Sequence, residues 1–206
     1  MKETLHLEEL TRRLLHPPGG EKGTLAFLYG PYEARKLEVS LGLAFSLARE
    51  GFRVHYFDLN LSLRPEDLLS FMEEGEEDLP LFIYRPSPLE MEKVIDLLAS
   101  QTGPWGDVVI INSLIFIAGR SYIRDERIDP LYLFSLLKRF LSKPKNIALV
   151  ILETRVKDIT GFYGVVDILD RIDLLMRISP GREDIPITLY NPPFKEGEHL
   201  YLQLER

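Results

Sequence analysis

Two stretches of this chain are apolar without alternation: Val108-Val109-Ile110-Ile111 and Ile147-Ala148-Leu149-Val150-Ile151-Leu152. Neither leaves a polar position on either face of an extended strand, so both are expected to be buried on two sides. Around them, short apolar runs alternate with amphipathic ones. Residues 24–29 and Arg53 to Asp58 predict strands, and residues 36–50 predict the helix between them, with Gly51 as its C-cap. Pro65 to Glu74 predicts a helix opened by Arg64-Pro65. Leu79 to Tyr84 then predicts a strand, Leu89 to Ser100 a helix and Asp107 to Asn112 a short strand. Pro130 to Leu141 predicts a helix, and Ile147 to Leu152 and Ile172 to Ile178 predict strands. Ile187–Tyr190 and His199–Leu204 predict an antiparallel pair around the loop NPPFKEGE. At the N-terminus, apolar residues at 5, 7, 10, 14 and 15 predict a short amphipathic helix over Thr4 to His16. Thr4 is placed as its N-cap, and Pro17-Pro18-Gly19-Gly20 ends it.

Strands alternate with helices, and then strands dominate. That order predicts an α/β fold of three layers, with a mostly parallel central sheet and antiparallel C-terminal strands. A chain of 206 residues suits one well-buried domain. Residues 1–206 are read as that domain, with an N-terminal helical segment (1–18) on a core (19–206).

Composition narrows the function classes. Apolar residues make up 45% and charged residues 28%, as in ordinary globular proteins. The absence of cysteine excludes disulfides, thiol catalysis and Cys-ligated zinc. His6, His16, His55 and His199 show no ligand spacing, so no metal site is expected. The charged N-terminus is not a signal peptide, and no apolar run reaches membrane-spanning length, so a cytoplasmic protein is expected. Scarce Asn and Gln beside plentiful Glu, Lys and Arg lean toward a thermophilic source. The net charge of −7 and pI near 5.2 leave nucleic-acid contact to a local basic patch working against the overall field.

The candidate chemistry sits in TLAFLYGPYEARKL, residues 24–37. An apolar strand runs into Gly30-Pro31, then Lys36, then a helical run. This is the setting of a phosphate-binding loop, whose pattern G-x-x-x-x-G-K-[ST] requires Gly at 35 and Ser or Thr at 37. The chain has Arg35 and Leu37. Gly30, Arg35 and Lys36 are therefore the candidates for a vestigial phosphate loop. Lys36 could still hold an anion at a helix N-terminus, and the simpler reading is a solvated first-turn lysine. Arg35 could reach into the phosphate pocket and fill it, pairing with Asp58 or Glu33.

The order of the elements and their local sequences resembles the RecA/RadA superfamily of P-loop ATPases. The resemblance is nearest to short archaeal RadB-like paralogues and covers roughly residues 15–205. It is carried by GPYEARKL, by Tyr56-Phe57-Asp58-Leu59-Asn60, by Val108-Val109-Ile110-Ile111-Asn112-Ser113, by Ile117 to Arg127, and by Asn146 to Thr154. In that family the second motif carries a Glu that activates water, and the third ends in an Asp that holds magnesium. The fourth resembles the first DNA-binding loop of these recombinases, and the fifth the strand with a polar sensor residue.

Set against that pattern, four positions depart. Arg35 replaces a Gly that lets backbone approach phosphate, and Leu37 replaces a magnesium-ligating hydroxyl. Asn60 replaces the Glu, and an amide cannot take a proton from water. Asn112 replaces the magnesium-holding carboxylate; its amide is expected to bond neighbouring backbone at the strand end. Loss of one positioned catalytic group typically costs ~10²–10⁴-fold. The resemblance thus implies a pseudo-ATPase with no catalytic residue, no metal and no bound ATP. Its implied role is an accessory or regulatory subunit in DNA recombination or repair. Its implied partner is a protein, either itself or an active RecA-type recombinase.

Three alternatives stay open. One is nucleotide binding without hydrolysis, through Lys36 and backbone amides. A second is single-stranded DNA binding by Arg120, Tyr122, Arg124 and Arg127, with phosphate contacts and a base stacked on Tyr122. The simpler reading pairs those arginines with Asp125, Glu126 and Asp129. The third is an enzyme with relocated groups, drawn from Asp58, Glu33 and Asp107 near the strand ends. Phe162 and Tyr163 offer an aromatic partner contact or an anchor to the core. Trp105 reads as packing, and the run Glu73 to Asp78 reads as a solvated loop.

Overall fold

The computed structural model describes residues 3–16, 22–31, 34–101, 106–117, 120–123, 126–128, 130–153, 172–181, 184–191 and 197–204. In chain order the first half contains β1 (Thr4–His6), α1 (Leu7–Leu15), β2 (Thr24–Gly30), α2 (Lys36–Arg49), β3 (Arg53–Asp58), α3 (Pro65–Leu69), β4 (Leu81–Tyr84) and α4 (Pro88–Ser100). The second half contains β5 (Asp107–Ile117), β6 (Arg120–Ile123), β7 (Glu126–Ile128), α5 (Pro130–Phe140), β8 (Ile147–Glu153), β9 (Leu174–Ile178), β10 (Ile185–Tyr190) and β11 (Gly197–Gln203).

One sheet runs in the order β1-β11-β10-β9-β2-β8-β5-β3-β4. From β9 to β4 every neighbouring pair is parallel. The β10 strand is antiparallel to both β9 and β11. The mixed sheet expected from the pattern is therefore present. All seven residues of β2 are buried, as are six of the seven in β8. Both faces of these strands are covered, which is why their sequences are uniformly apolar.

Two cores flank the sheet. On one face Leu28, Tyr56, Ile110 and Leu149 pack with Leu43 and Leu47 of α2 and Leu10 and Leu14 of α1. On the other, Phe27, Phe57, Val109 and Val150 pack with Met91 and Ile95 of α4 and Leu133, Leu137 and Phe140 of α5. These are the three layers. The α2 helix lies between sheet and α1, so apolar residues surround it. It ends where Gly51 takes φ +86°. The Gly51 amide then donates to Ala48 O at 3.0 Å and the Phe52 amide to Leu47 O at 3.1 Å, a Schellman ending. The α4 helix opens on a capping box between Ser87 and Glu90.

Several elements depart from the pattern reading. Thr4 does not cap a helix: Thr4, Leu5 and His6 pair in parallel with Tyr201, Leu202 and Gln203, and α1 starts only at Leu7. The α3 helix stops at Leu69, short of Glu74, because Glu73 and Glu76 turn back to bind Arg49. That acidic run is anchored as well as solvated. The β5 strand continues past Asn112 to Ile117, since Ile115 to Ile117 pair with Tyr122 to Arg120. Trp105, Phe162 and Tyr163 lie outside the described residues. No described helix is long and apolar enough to cross a membrane.

Candidate functional site

Parallel α/β sheets bind ligands outside the carboxyl ends of their strands. Register places Gly30 of β2 beside Glu153 of β8, and Asp58 of β3 beside Asn112 of β5. The residues two before them, Leu28, Tyr56, Ile110 and Ile151, all belong to the core shared with α2. By strand alternation these four end residues therefore share the α2 face of the sheet.

Lys36 is 4% exposed. Its ammonium donates to Gly30 O at 3.0 Å and also to Pro31 O. The loop's backbone is turned inward too: the Ala34 amide donates to Pro31 O at 3.0 Å, and the Lys36 amide to Ala34 O at 2.7 Å. Pro31 has no N–H to offer. A phosphate cradle works by aiming such amides at the anion, and here two of them and the lysine serve the loop itself. The glycine at 30 also has a packing reason, because a Cβ there would lie 2.4 Å from Ile178 O.

Arg35 does not reach Asp58. Its Nε donates to Glu38 Oε1 at 2.8 Å, one turn along α2, and this pair raises the guanidinium pKa. Asp58 is 0% exposed and engaged elsewhere. It accepts from the Ser62 amide at 3.0 Å and the Leu63 amide at 3.2 Å. Arg85 Nε lies 3.3 Å from its Oδ2. This carboxylate thus holds the turn after β3, where Leu61 takes φ +54°. Glu33 lies outside the described residues.

The Asn112 amide donates to the Ser62 hydroxyl at 3.3 Å, a side-chain partner where a backbone one was expected. The buried Tyr56 lies against it and bonds Ser40 of α2 at 2.9 Å. Burial is the main cause pushing the Tyr56 phenol far above its ordinary pKa. Asn60 donates to Ser113 Oγ and, at 3.1 Å, to Glu153 Oε1. Ser113 Oγ donates to the same oxygen at 3.0 Å. Glu153 is the site residue missing from the sequence reading. Its signal was available, because it terminates the apolar run of β8 as Asp58 terminates that of β3.

Asp107 belongs elsewhere. It opens β5 opposite Arg53, roughly 16 Å from Asn112 at strand rise, at the amino end of the sheet. Arg53 Nη2 donates to its Oδ2 at 2.9 Å, and His55 Nε2 lies 3.5 Å from Oδ1. Burial opposes its charge, but His55 and Arg53 outweigh burial and hold the carboxyl below its usual range. It is therefore not part of a site at the carboxyl ends.

Arg120, Tyr122 and Arg127 fall in strands β6 and β7 rather than a loop, with Tyr122 in register with Arg127. Arg124 lies outside the described residues. The ribbon extends β5 beyond the carboxyl ends of the sheet. Among the described residues, no group of three or more His, Cys, Asp or Glu is placed to hold a metal ion.

The fold is similar to that in a crystal structure of the RadB recombinase, with a TM-score of 0.64 and 20% sequence identity, over 98% of this chain and 94% of that one. It is also similar to a second solved structure, an ATPase domain, with a TM-score of 0.63 and 9% identity, over 99% of this chain and 93% of that one. No protein-family model matches the sequence, and no curated protein matches it. At such identities the likeness concerns the fold alone: this chain has the RecA-like P-loop ATPase fold.

Proposed function

We propose that this chain is a RecA-like protein that no longer turns over ATP and serves as an accessory binding subunit in DNA recombination or repair. The observation that carries this reading is the Lys36 ammonium, spent on the carbonyl oxygens of Gly30 and Pro31. At its described residues, Gly30, Pro31 and Ala34 to Lys36, the loop that would cradle phosphate bonds to its own carbonyl oxygens. Phosphoryl transfer rests on positioned cations and a water-orienting base. Position 37 is Leu, and positions 60 and 112 carry amides already bonded to Ser113, Glu153 and Ser62. RecA-like relatives in recombination supply the class of process, and a binding role is what such a scaffold retains when its chemistry is removed. Its partner is a protein, either a second copy or an active RecA-type recombinase. The test pairs a steady-state ATPase assay with affinity capture from the source organism. Turnover above background with magnesium, or capture that recovers no RecA-type or repair protein, counts against the proposal.

A second reading is favoured by the β6–β7 ribbon, which carries Arg120, Tyr122 and Arg127 and continues the sheet from the far end of β5. A ribbon of this composition suits single-stranded DNA, with arginines on phosphates and an aromatic stack. Binding should weaken with salt and fall when Arg120 and Arg127 become Ala. Affinity indifferent to both removes the ribbon from consideration.

A further inference from the structure

The sheet has two edges, and they differ. At one end β1 exposes only the polar Thr4 and His6. At the other, β4 pairs with β3 alone among the described residues. Natural proteins blunt such an edge with a charge, a proline or a bulge. The run Leu81-Phe82-Ile83-Tyr84 has no charge and no proline, and its register with β3 is unbroken. The Val54 amide donates to Pro80 O at 2.8 Å. By alternation Phe82 and Tyr84 then turn their backbone groups to β3, and Ile83 turns its N–H and C=O outward. Phe82 is 45% exposed. Of the six exposed large apolar side chains among the described residues, all but Tyr132 lie between β3 and β5. Exposed apolar area is thus concentrated in the part of the chain that forms this edge. The two ends of β4 also differ in charge. The exposed Glu77 and Asp78 lead into it, and Arg85 follows it with half its side chain exposed.

We propose that β4 pairs antiparallel with β4 of a second copy, about a two-fold axis at Ile83, so that one sheet continues through both chains. The inference rests on the binding-subunit reading above and names a second copy as the partner. Ile83 faces Ile83, and each exchanges its outward N–H and C=O with the other. Phe82 of each copy lies opposite Tyr84 of the other, an aromatic cross-strand pair formed twice. The acidic entry to each β4 approaches Arg85 of the other copy. A parallel pairing would instead set acid beside acid. A two-fold interface needs a self-complementary patch, in which residue i meets j and j meets i. This edge has that property in its backbone, its aromatic residues and its charge.

Sedimentation equilibrium of the full chain over a concentration series tests this, beside hydrogen exchange resolved to single amides at both ends of the series. The chain should show a monomer–dimer equilibrium. The Ile83 amide should gain protection with concentration, and the Phe82 amide, already turned to β3, should not. Phe82→Lys sets a charge on the edge and removes both aromatic pairs, so it should weaken association about tenfold. Glu77→Lys combined with Asp78→Lys should weaken it as well, at exposed positions that the fold does not need. Circular dichroism of each variant verifies folding. The pairing is overturned if the chain stays monomeric throughout, or if exchange at Ile83 is independent of concentration. It is equally overturned if both variants associate as tightly as the parent. Protection of Ile83 only after another protein is added would give the edge to that protein and overturn the pairing of copies. A monomer leaves the binding-subunit reading standing, with a recombinase as partner. ATP turnover by the same sample sinks that reading and leaves the dimer standing.

Discussion

The Lys36 ammonium lies 3.0 Å from the carbonyl oxygen of Gly30, six residues earlier in the same loop. A lysine kept to meet phosphate would be held for a ligand. This one is 4% exposed and completes the backbone that carries it. Its role in this state is to close the β2–α2 connection.

Lys36→Met should therefore destabilise the free protein. It takes the ammonium from the carbonyl oxygens of Gly30 and Pro31, of which Pro31 O keeps the Ala34 amide, at about 1–3 kcal/mol for a buried group that loses its partner. Urea unfolding monitored by circular dichroism checks it. Unchanged stability would show that the ammonium contributes nothing to the closed loop.

Gly30→Ala should destabilise by about 1–3 kcal/mol, the usual cost of forcing a methyl group into packed surroundings. The added Cβ would sit 2.4 Å from Ile178 O, so β9 must shift away from β2. The melting temperature reports this directly, with no nucleotide present. A variant as stable as the parent would return the glycine to a phosphate-binding explanation.

Asp58→Ala should cost about 1–3 kcal/mol for each orphaned amide, because the Ser62 and Leu63 amides both lose their acceptor. Faster hydrogen exchange confined to those two amides is the specific signature. Exchange unchanged at both would mean that the turn is held by something other than this carboxylate.

Glu76 supplies a pH test. Hydrogen bonding from Arg49, the largest cause, lowers its carboxyl from the ordinary 4.5 to about 2. A depressed acid stabilises the folded state above its unfolded pKa, and that stability is lost as pH falls through the folded value. The stability gap between the parent and Glu76→Gln should therefore be full above pH 4.5 and should close toward pH 2. The side chains are partly solvated, so the gap should also shrink with salt. Urea titrations at several pH values measure it, and a gap independent of pH refutes the pairing.

The sheet was legible where burial dictates composition. Ile147 to Leu152 could only be a strand covered on both faces, and it is. Gly51 announced the end of α2 because the left-handed turn there favours glycine. What escaped the pattern depends on partners distant in sequence. Thr4 looks like a helix cap until Tyr201, at the far end of the chain, arrives to pair with it. The helix after Pro65 looks longer until Arg49 draws Glu73 and Glu76 back.

At the site, positions 35, 37, 60 and 112 declared themselves by departing from a pattern. Glu153 was legible only as the carboxylate that ends the apolar run of β8; the donors that Asn60 and Ser113 bring to it from elsewhere were not. Nor could the sequence show where the Lys36 ammonium goes, because its acceptors are backbone oxygens that no side chain encodes.

Isothermal calorimetry of the full chain with Mg-ATP tests the central claim most directly. A closed loop predicts no saturable heat at millimolar nucleotide, with or without magnesium. A saturable isotherm that Lys36→Met abolishes would show that the loop opens to phosphate, and would contradict the account.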